Sequence, residues 1–215
     1  MQLSSRPRTR TLLMTVTLLG LAVAGCSTIQ SISQALTDVG KLQFKLDRAT
    51  DFTVNGINIS AINSVSDIDP LKAASLVMLV QKKQLPVAFT LNVQARNPND
   101  GSNGKPPTDL YLRRIAWTLL IDNRTTINGI VDRRLQIPSS GQSTIIPITI
   151  GLDLFKFFGD KGYEDLMNLA FAIGGRSGSS SRLKLTAKVS AEVPGLGVVD
   201  YPGELTIVNT DFTNK

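Results

Sequence analysis

Between Leu85 and Asn99 the chain reads LPVAFTLNVQARNPN, and this stretch constrains the fold more than any other. Leu85, Val87, Phe89, Leu91, Val93 and Ala95 fall on one parity; Pro86, Ala88, Thr90, Asn92, Gln94 and Arg96 fall on the other. Successive side chains of a strand point to opposite faces, so this period of two is that of a half-buried strand. Pro98 brings no N–H to a ladder and holds Asn97 extended, so regular pairing stops at Asn97-Pro98-Asn99.

The same parity recurs elsewhere. Leu42, Phe44 and Leu46 alternate with Lys41, Gln43, Lys45 and Asp47. Phe52 and Val54 open another run, whose parity switches to Ile57 and Ile59 across Gly56, and a bulge at Gly56 is expected there. Ile115, Trp117, Leu119 and Ile121 mark one face of a further strand, with a parity slip at Arg113-Arg114. Asp122-Asn123 turns the chain into Ile127, Val131, Leu135 and Ile137. Pro138 to Gly141 turns it again into Ile146, Ile148 and Ile150, where Pro147 marks an edge or bulged strand. Leu183 to Val193 alternates cleanly, Pro194-Gly195 turns, and Leu205 and Ile207 lie on the last strand.

Two stretches break the pattern. Asp69-Pro70 is a helix start, an acceptor for orphan N–H groups followed by a proline preset at helical φ. Leu71, Ala74 and Leu76 to Val80 give this helix a broad apolar side, expected to face inward with Ala74 on it, while Lys72, Ser75 and Lys82 mark a narrow wet side. From Gly151 to Ile173 the spacing is helical again. Leu152, Phe155 and Phe158 form a first piece, Gly159 breaks it, and Asp160 is placed to cap a second. Gly174-Gly175 ends that piece, and Gly178 to Ser181 is a flexible connector. Strands separated by turns, without βαβ alternation, give a mainly β fold: an antiparallel β-sandwich of the fibronectin III or immunoglobulin kind with helical insertions.

The N-terminus carries an address. Arg6, Arg8 and Arg10 precede an apolar run from Leu12 to Ala24, shorter than the roughly 20 residues that span a bilayer but the length of a signal-peptide core. It ends in Val23-Ala24-Gly25-Cys26, which resembles the lipobox of bacterial lipoproteins, and Cys26 is the chain's one cysteine. That resemblance implies a signal peptide over 1–25, diacylglycerol with further acylation (palmitate) on Cys26, and a lipidated tether over 26–40. The competing reading is a plain secretory signal with an incidental cysteine. Ser27, in place of an aspartate, leans towards the outer membrane, facing the periplasm in a Gram-negative host. Ile29, Ile32, Leu36 and Val39 recur at helical spacing, so the tether is a short amphipathic helix that either docks on the sandwich or lies on the membrane.

Over residues 41–215 the chain resembles the WHy domain of the type 2 late-embryogenesis-abundant (LEA type 2) family. The carriers are Asn97-Pro98-Asn99, the Trp117–Asp122 strand, Ile127-Asn128-Gly129, and Ile137-Pro138 with Gly141 and Ile146-Pro147. The polar insertion between Asn99 and Leu110 departs from the tighter family pattern. The resemblance implies a β-sandwich in a desiccation or stress-response setting, with Asn97, Pro98 and Asn99 as structural motif residues.

The residues also exclude chemistry. The chain has no histidine, which removes a Ser-His-Asp triad, a Cys-His pair and histidine metal ligands. On the lipobox resemblance the one cysteine is committed to lipid, so thiolate catalysis and zinc-thiolate sites are not expected, and a single cysteine allows no internal disulfide. No glycine-rich phosphate loop follows a strand. Asp100 and Asp109 do not have the spacing of a calcium loop, and Glu164-Asp165 and Asp67/Asp69 read as helix-start acids rather than paired catalytic carboxylates. Removing residues 1–25 takes three arginines and no acids, which lowers the net charge from +6 to +3. Lys82-Lys83, Arg113-Arg114 and Arg133-Arg134 are isolated pairs, so no nucleic-acid footprint is expected, and anionic headgroups are their functional alternative. The expectation is a non-enzymatic envelope lipoprotein without cofactor or metal. Its partners are the membrane, through Cys26, and client proteins or lipids; its oligomeric state is left open. It acts as a protective or interaction module. The alternative is a binder of lipid or another small apolar ligand in a cavity between sandwich and helices, lined by Leu76–Val80 and Phe155–Phe158.

Overall fold

In a computed structural model, the described residues are 29–59, 62, 68–102, 104, 106–173 and 181–212, with 181–182 and 209–212 described in backbone only. The expected signal peptide, Cys26 and Asp67 lie outside them.

The Leu85 stretch becomes the centre of one sheet. Strands β1 (Gln43–Val54), β2 (Ile57–Asn58), β3 (Pro86–Arg96) and β6 (Ser143–Asp153) form sheet A in the order β2-β1-β3-β6. On β3, Val87, Phe89, Leu91, Val93 and Ala95 are buried. Fully burying each of the larger ones is worth roughly 1.5–3 kcal/mol, which is why the register of this strand is fixed. It pairs with β6 without a break from Pro86 opposite Asp153 to Arg96 opposite Ser143. Pro147 lies opposite Asn92 on that outer strand, where a missing N–H is tolerated.

Sheet B contains β4 (Leu110–Ile121), β5 (Arg124–Ile137), β7 (Ser181–Val193), β8 (Gly197–Asp200) and β9 (Leu205–Phe212). Its order is β5-β4-β7-β8, with β9 continuing along the same edge of β7. All pairings in both sheets are antiparallel. The register of β4 shifts between Leu112 and Arg114 against both neighbours, so one extra residue lets Leu112 and Ile115 both face inward. The sheets pack face to face as a sandwich, and they meet at both flanks, β9 against β1 and β5 against β6. Inside, Phe52 stacks on Phe89 with ring centroids 5.3 Å apart.

Helices close the two ends. At the end where β1 begins, residues 29–40 form helix α1, with Val39 and Asp38 buried at its last turn. At the other end lie α2 (Pro70–Gln81), α3 (Leu154–Phe158) and α4 (Tyr163–Ile173). On α4, Leu166, Met167, Ala170 and Ile173 are fully buried.

Four expectations need correction. Gly56 sits in a hairpin turn and not in a bulge: Asn55 and Gly56 both have positive φ (48° and 74°), and Val54 pairs with Ile57 across them. That is the two-residue turn Asn-Gly favours, and the reversal of direction accounts for the parity switch. Leu152 belongs to β6, continuing the parity of Ile146, Ile148 and Ile150. Asp160, expected to cap the second helix, instead takes Arg124 on its carboxylate, and α4 begins three residues on at Tyr163; the cap in this region is Asp153 on α3, accepting from the Phe155 N–H at 3.0 Å. Finally, α2 buries only part of its broad apolar side. Leu76 is buried and Leu79 and Val80 pack against the core, whereas Leu71, Ala74, Val77 and Met78 face outward.

Candidate functional site

Where β3 leaves its ladder, its last side chains turn into the sandwich. Asn97 is fully buried, and its Nδ2 donates to the Thr108 carbonyl at 2.8 Å and the Ile137 carbonyl at 3.2 Å. Its Oδ1 accepts from the Asn99 backbone N–H at 3.0 Å and from Asn99 Nδ2 at 2.8 Å. Thr108 N–H donates in turn to the Asn99 carbonyl. One amide side chain thus ties the end of sheet A to the last residue of β5 in sheet B and to the far side of the 99–108 loop. It makes four bonds, the full capacity of its two donors and its acceptor oxygen.

Beside it, Asp109 accepts from the Ser139 N–H at 2.8 Å, the Ser139 hydroxyl at 2.9 Å and Gln136 Nε2 at 2.7 Å. The backbone bond from Ser139 leads in holding this carboxyl below its ordinary range, followed by the Ser139 hydroxyl and the Gln136 amide. Asp100 accepts from the Ser102 N–H at 3.0 Å, a local turn bond. The two anions of the polar insertion therefore serve as acceptors within the chain.

The same end carries α1. The chain bends at Gly40, whose backbone lies against Tyr201; a Cβ there would stand 3.0 Å from the phenol oxygen. Ile32, Leu36 and Thr37 of the helix and the Tyr201 ring line an open groove of about 500 Å³ that runs out to Ile29. Gln34 Nε2 donates to Asp38 at 2.8 Å, and Lys41 pairs with the same carboxylate at 3.6 Å. Helix α1 is thus docked at its C-terminal turn and exposed at Ile29.

Two ionic clusters decorate the outer face of sheet B and the far end. Arg134 lies over the Tyr111 ring, 3.8 Å from its centroid, and donates to Glu192 at 2.9 Å, with Arg113 at 3.9 Å from the same carboxylate. The Arg134 bond holds Glu192 below its ordinary range. Arg124 forks onto Asp160 at 3.2 and 3.3 Å, reaches the Phe157 carbonyl and covers the Phe158 ring. It lowers the Asp160 carboxyl and pins the α3–α4 corner to the start of β5. Both clusters span neighbouring elements of the fold.

The described acids of the two pairs sit at helix starts. Glu164 and Asp165 are exposed in the first turn of α4, where they complement the helix dipole. Asp69 is the N-cap of α2, accepting from the Leu71 and Lys72 N–H groups at 3.0 and 3.4 Å. Among the described residues no cluster of three or more acids, histidines or cysteines could hold a metal ion. No described helix is long and apolar enough to cross a membrane. Asp153 was not apparent as a site residue from its sequence position. Its Oδ1 accepts from the Leu85 N–H at 2.7 Å as well as capping α3, joining the start of β3 to the helical corner.

No family model and no curated protein sequence matches the chain. Among solved structures, the chain is similar to At2g46140.1, a candidate late embryogenesis abundant (LEA) protein, at 10% identity and a TM-score of 0.34, over 97% of this chain and 94% of that one. It is similar to AT1g01470 from Arabidopsis thaliana at 17% identity and a TM-score of 0.31, over 60% and 74% of the two chains. A protein from Archaeoglobus fulgidus is similar at 12% identity and a TM-score of 0.32, over 61% and 86%.

Proposed function

We propose that this chain is a lipid-anchored, non-enzymatic protein of the cell envelope, whose WHy-like sandwich protects or holds other envelope components during water loss and related stress. The observation that carries this reading is the state of the interior. Phe89 and Leu91 of one sheet, Ile121 of the other, Leu76 of α2, Phe158 of α3 and Met167 of α4 are all packed into one core with essentially no exposure. Among the described residues these side chains fill the space between sandwich and helices, which supports an action through the surface. The alternative of an apolar ligand between sandwich and helices would require Leu76 and Phe158 to leave that core.

The anchor rests on Val23-Ala24-Gly25-Cys26, and α1 supports it by leading from the docked Val39 outward to the exposed Ile29, three residues from Cys26. One acyl chain would hold only marginally, so stable anchoring takes the two or three chains of a processed lipoprotein. Metabolic labelling with a fatty-acid analogue tags the wild type in a lipoprotein-processing host, and Cys26→Ser loses both label and membrane retention. An unlabelled wild type refutes the anchor. For the protective role, the chain from Ser27 onward lowers the aggregation of a client enzyme on drying or freezing at comparable molar amounts, without nucleotide or metal. A defined lipid that copurifies with it and raises its melting temperature on re-addition replaces this reading with ligand binding.

A further inference from the structure

We infer that the outward face of α2 docks onto an anionic lipid bilayer, independently of any lipid on Cys26. The helix is ordered by its own sequence: Asp69 caps it, Pro70 opens it, and Leu76 fixes it to the core. Yet Leu71, Val77 and Met78 are 82%, 40% and 55% exposed. At 3.6 residues per turn, Leu71, Ala74, Val77 and Met78 fall within one arc of roughly 120°. An apolar stripe of that width is the usual inward face of a surface helix, and here it points to solvent.

Charge selects the occupant. Between residues 69 and 84 the cations are Lys72, Lys82 and Lys83, and the one acid, Asp69, is engaged as the cap. None of these lysines is in the ion pairs formed among the described residues. A convex apolar stripe with Lys82 and Lys83 at its C-terminal end matches a fluid, negatively charged surface, into which the side chains sink while the ammonium groups meet headgroups. Met78, unbranched and polarisable, suits such a surface.

The position of α2 adds a geometric consequence. The helix is joined through residues 82–84 to Leu85 at the start of β3, whereas α1 packs where β1 begins, beside the end of β3. The eleven residues of β3 separate these ends by roughly 36 Å. On the N-terminal anchor proposed above, α2 lies at the end of the sandwich opposite α1, where it is free to meet a second membrane surface.

The test uses the chain from Ser27 onward, which contains every described element and neither leader nor acyl group. It is sedimented with vesicles of phosphatidylcholine alone and of phosphatidylcholine mixed with phosphatidylglycerol. Binding is expected only to the mixed vesicles and falls with salt. Replacing both Lys82 and Lys83 by Gln weakens it by roughly 25-fold, about fivefold per charge. Met78→Glu and, separately, Leu71→Gln weaken it while leaving the melting temperature unchanged, since both side chains are exposed. No binding to the mixed vesicles, equal binding to neutral ones, or unchanged binding in both apolar-face variants overturns the inference. So does a Met78→Glu variant that keeps vesicle binding but loses client protection, which assigns the face to protein clients instead.

Discussion

Replacing Asn97 by Ala removes four hydrogen bonds at one buried position and leaves the backbone free to stay where it is. The Asn99 N–H loses its acceptor, Asn99 Nδ2 loses its partner, and the Thr108 and Ile137 carbonyls each lose a donor. A net hydrogen bond is worth about 1 kcal/mol, and the orphaned N–H in a buried setting costs towards the upper end of about 1–3 kcal/mol. Carbonyls with a second lone pair suffer less, so the sum is about 3 kcal/mol. For a domain of this size that lowers the melting temperature by roughly 6–12 °C. Asn99→Ala is the internal control, because it deletes only the Nδ2 bond and keeps the backbone N–H on Asn97; it should cost about 1 kcal/mol. Asn97→Asp keeps the acceptor towards Asn99 and turns a carboxylate towards two carbonyl oxygens. Its folded pKa is raised, so the variant is destabilised more as pH rises through the unfolded value, levelling off above the folded one. Trp117 is the chain's single tryptophan and is buried, so its emission reports unfolding in urea or on heating. Equal losses for Asn97→Ala and Asn99→Ala, or a loss below about 1 kcal/mol for the first, refute the clamp. Unchanged melting with lost client protection would make Asn97 a functional contact instead.

Three further outcomes are expected. Gly129→Ala drives a Cβ into Trp117 Cζ2 and within 2.7 Å of Cε2; the rigid indole must shift, at about 1–3 kcal/mol in chemical denaturation with a displaced Trp117 emission. Asp153→Ala removes the cap of α3 together with the acceptor for the Leu85 N–H, and costs about 1–2 kcal/mol by the same assay. Asp109, Asp160 and Glu192 have carboxyls lowered by their hydrogen bonds, so their contributions are present above the unfolded carboxylate values and are lost as pH falls through the folded ones. Asp109→Asn should therefore flatten the acid limb of a melting-temperature profile, while leaving its neutral-to-alkaline side parallel to the wild type.

The strands were legible because parity is a local record of burial. Val87 to Ala95, Ile115 to Ile121, Ile146 to Ile150 and Leu183 to Val193 each declare their inner face within a few residues, and a slip of one would expose the whole set. The slip at Arg113-Arg114 was legible for the same reason, since Leu112 and Ile115 are three apart and both buried. Gly56 illustrates where parity misleads: a two-residue reversal and a one-residue bulge both switch it. The pair Asn55-Gly56 decides for the turn, because both positions take positive φ. Gly151 misled in the other direction, as a glycine outward on β6 looks like the start of something new.

Hydrogen-bond partners distant in sequence were not legible at all. Asn97 reaches Ile137 forty positions on, Asp109 reaches Ser139 across thirty, and Asp153 reaches back to Leu85 across sixty-eight. Pro98 announces the end of a strand, but no local rule says that the preceding amide will span two sheets. The orientation of α2 failed for a different reason. Nine of its twelve residues are alanine, proline or larger aliphatics, so apolar side chains lie on nearly every side and periodicity has no contrast from which to choose an inner face. What chose it was the lattice of neighbours: Leu76 meets the core, and the arc through Leu71 and Met78 meets none of it. A helix that is apolar all round is ordinarily buried all round. One kept half outside, with lysines and no unengaged acid along its length, keeps its solvent-facing stripe at a cost in solubility. The core gains nothing from that stripe, and the docking proposed for it would cover it.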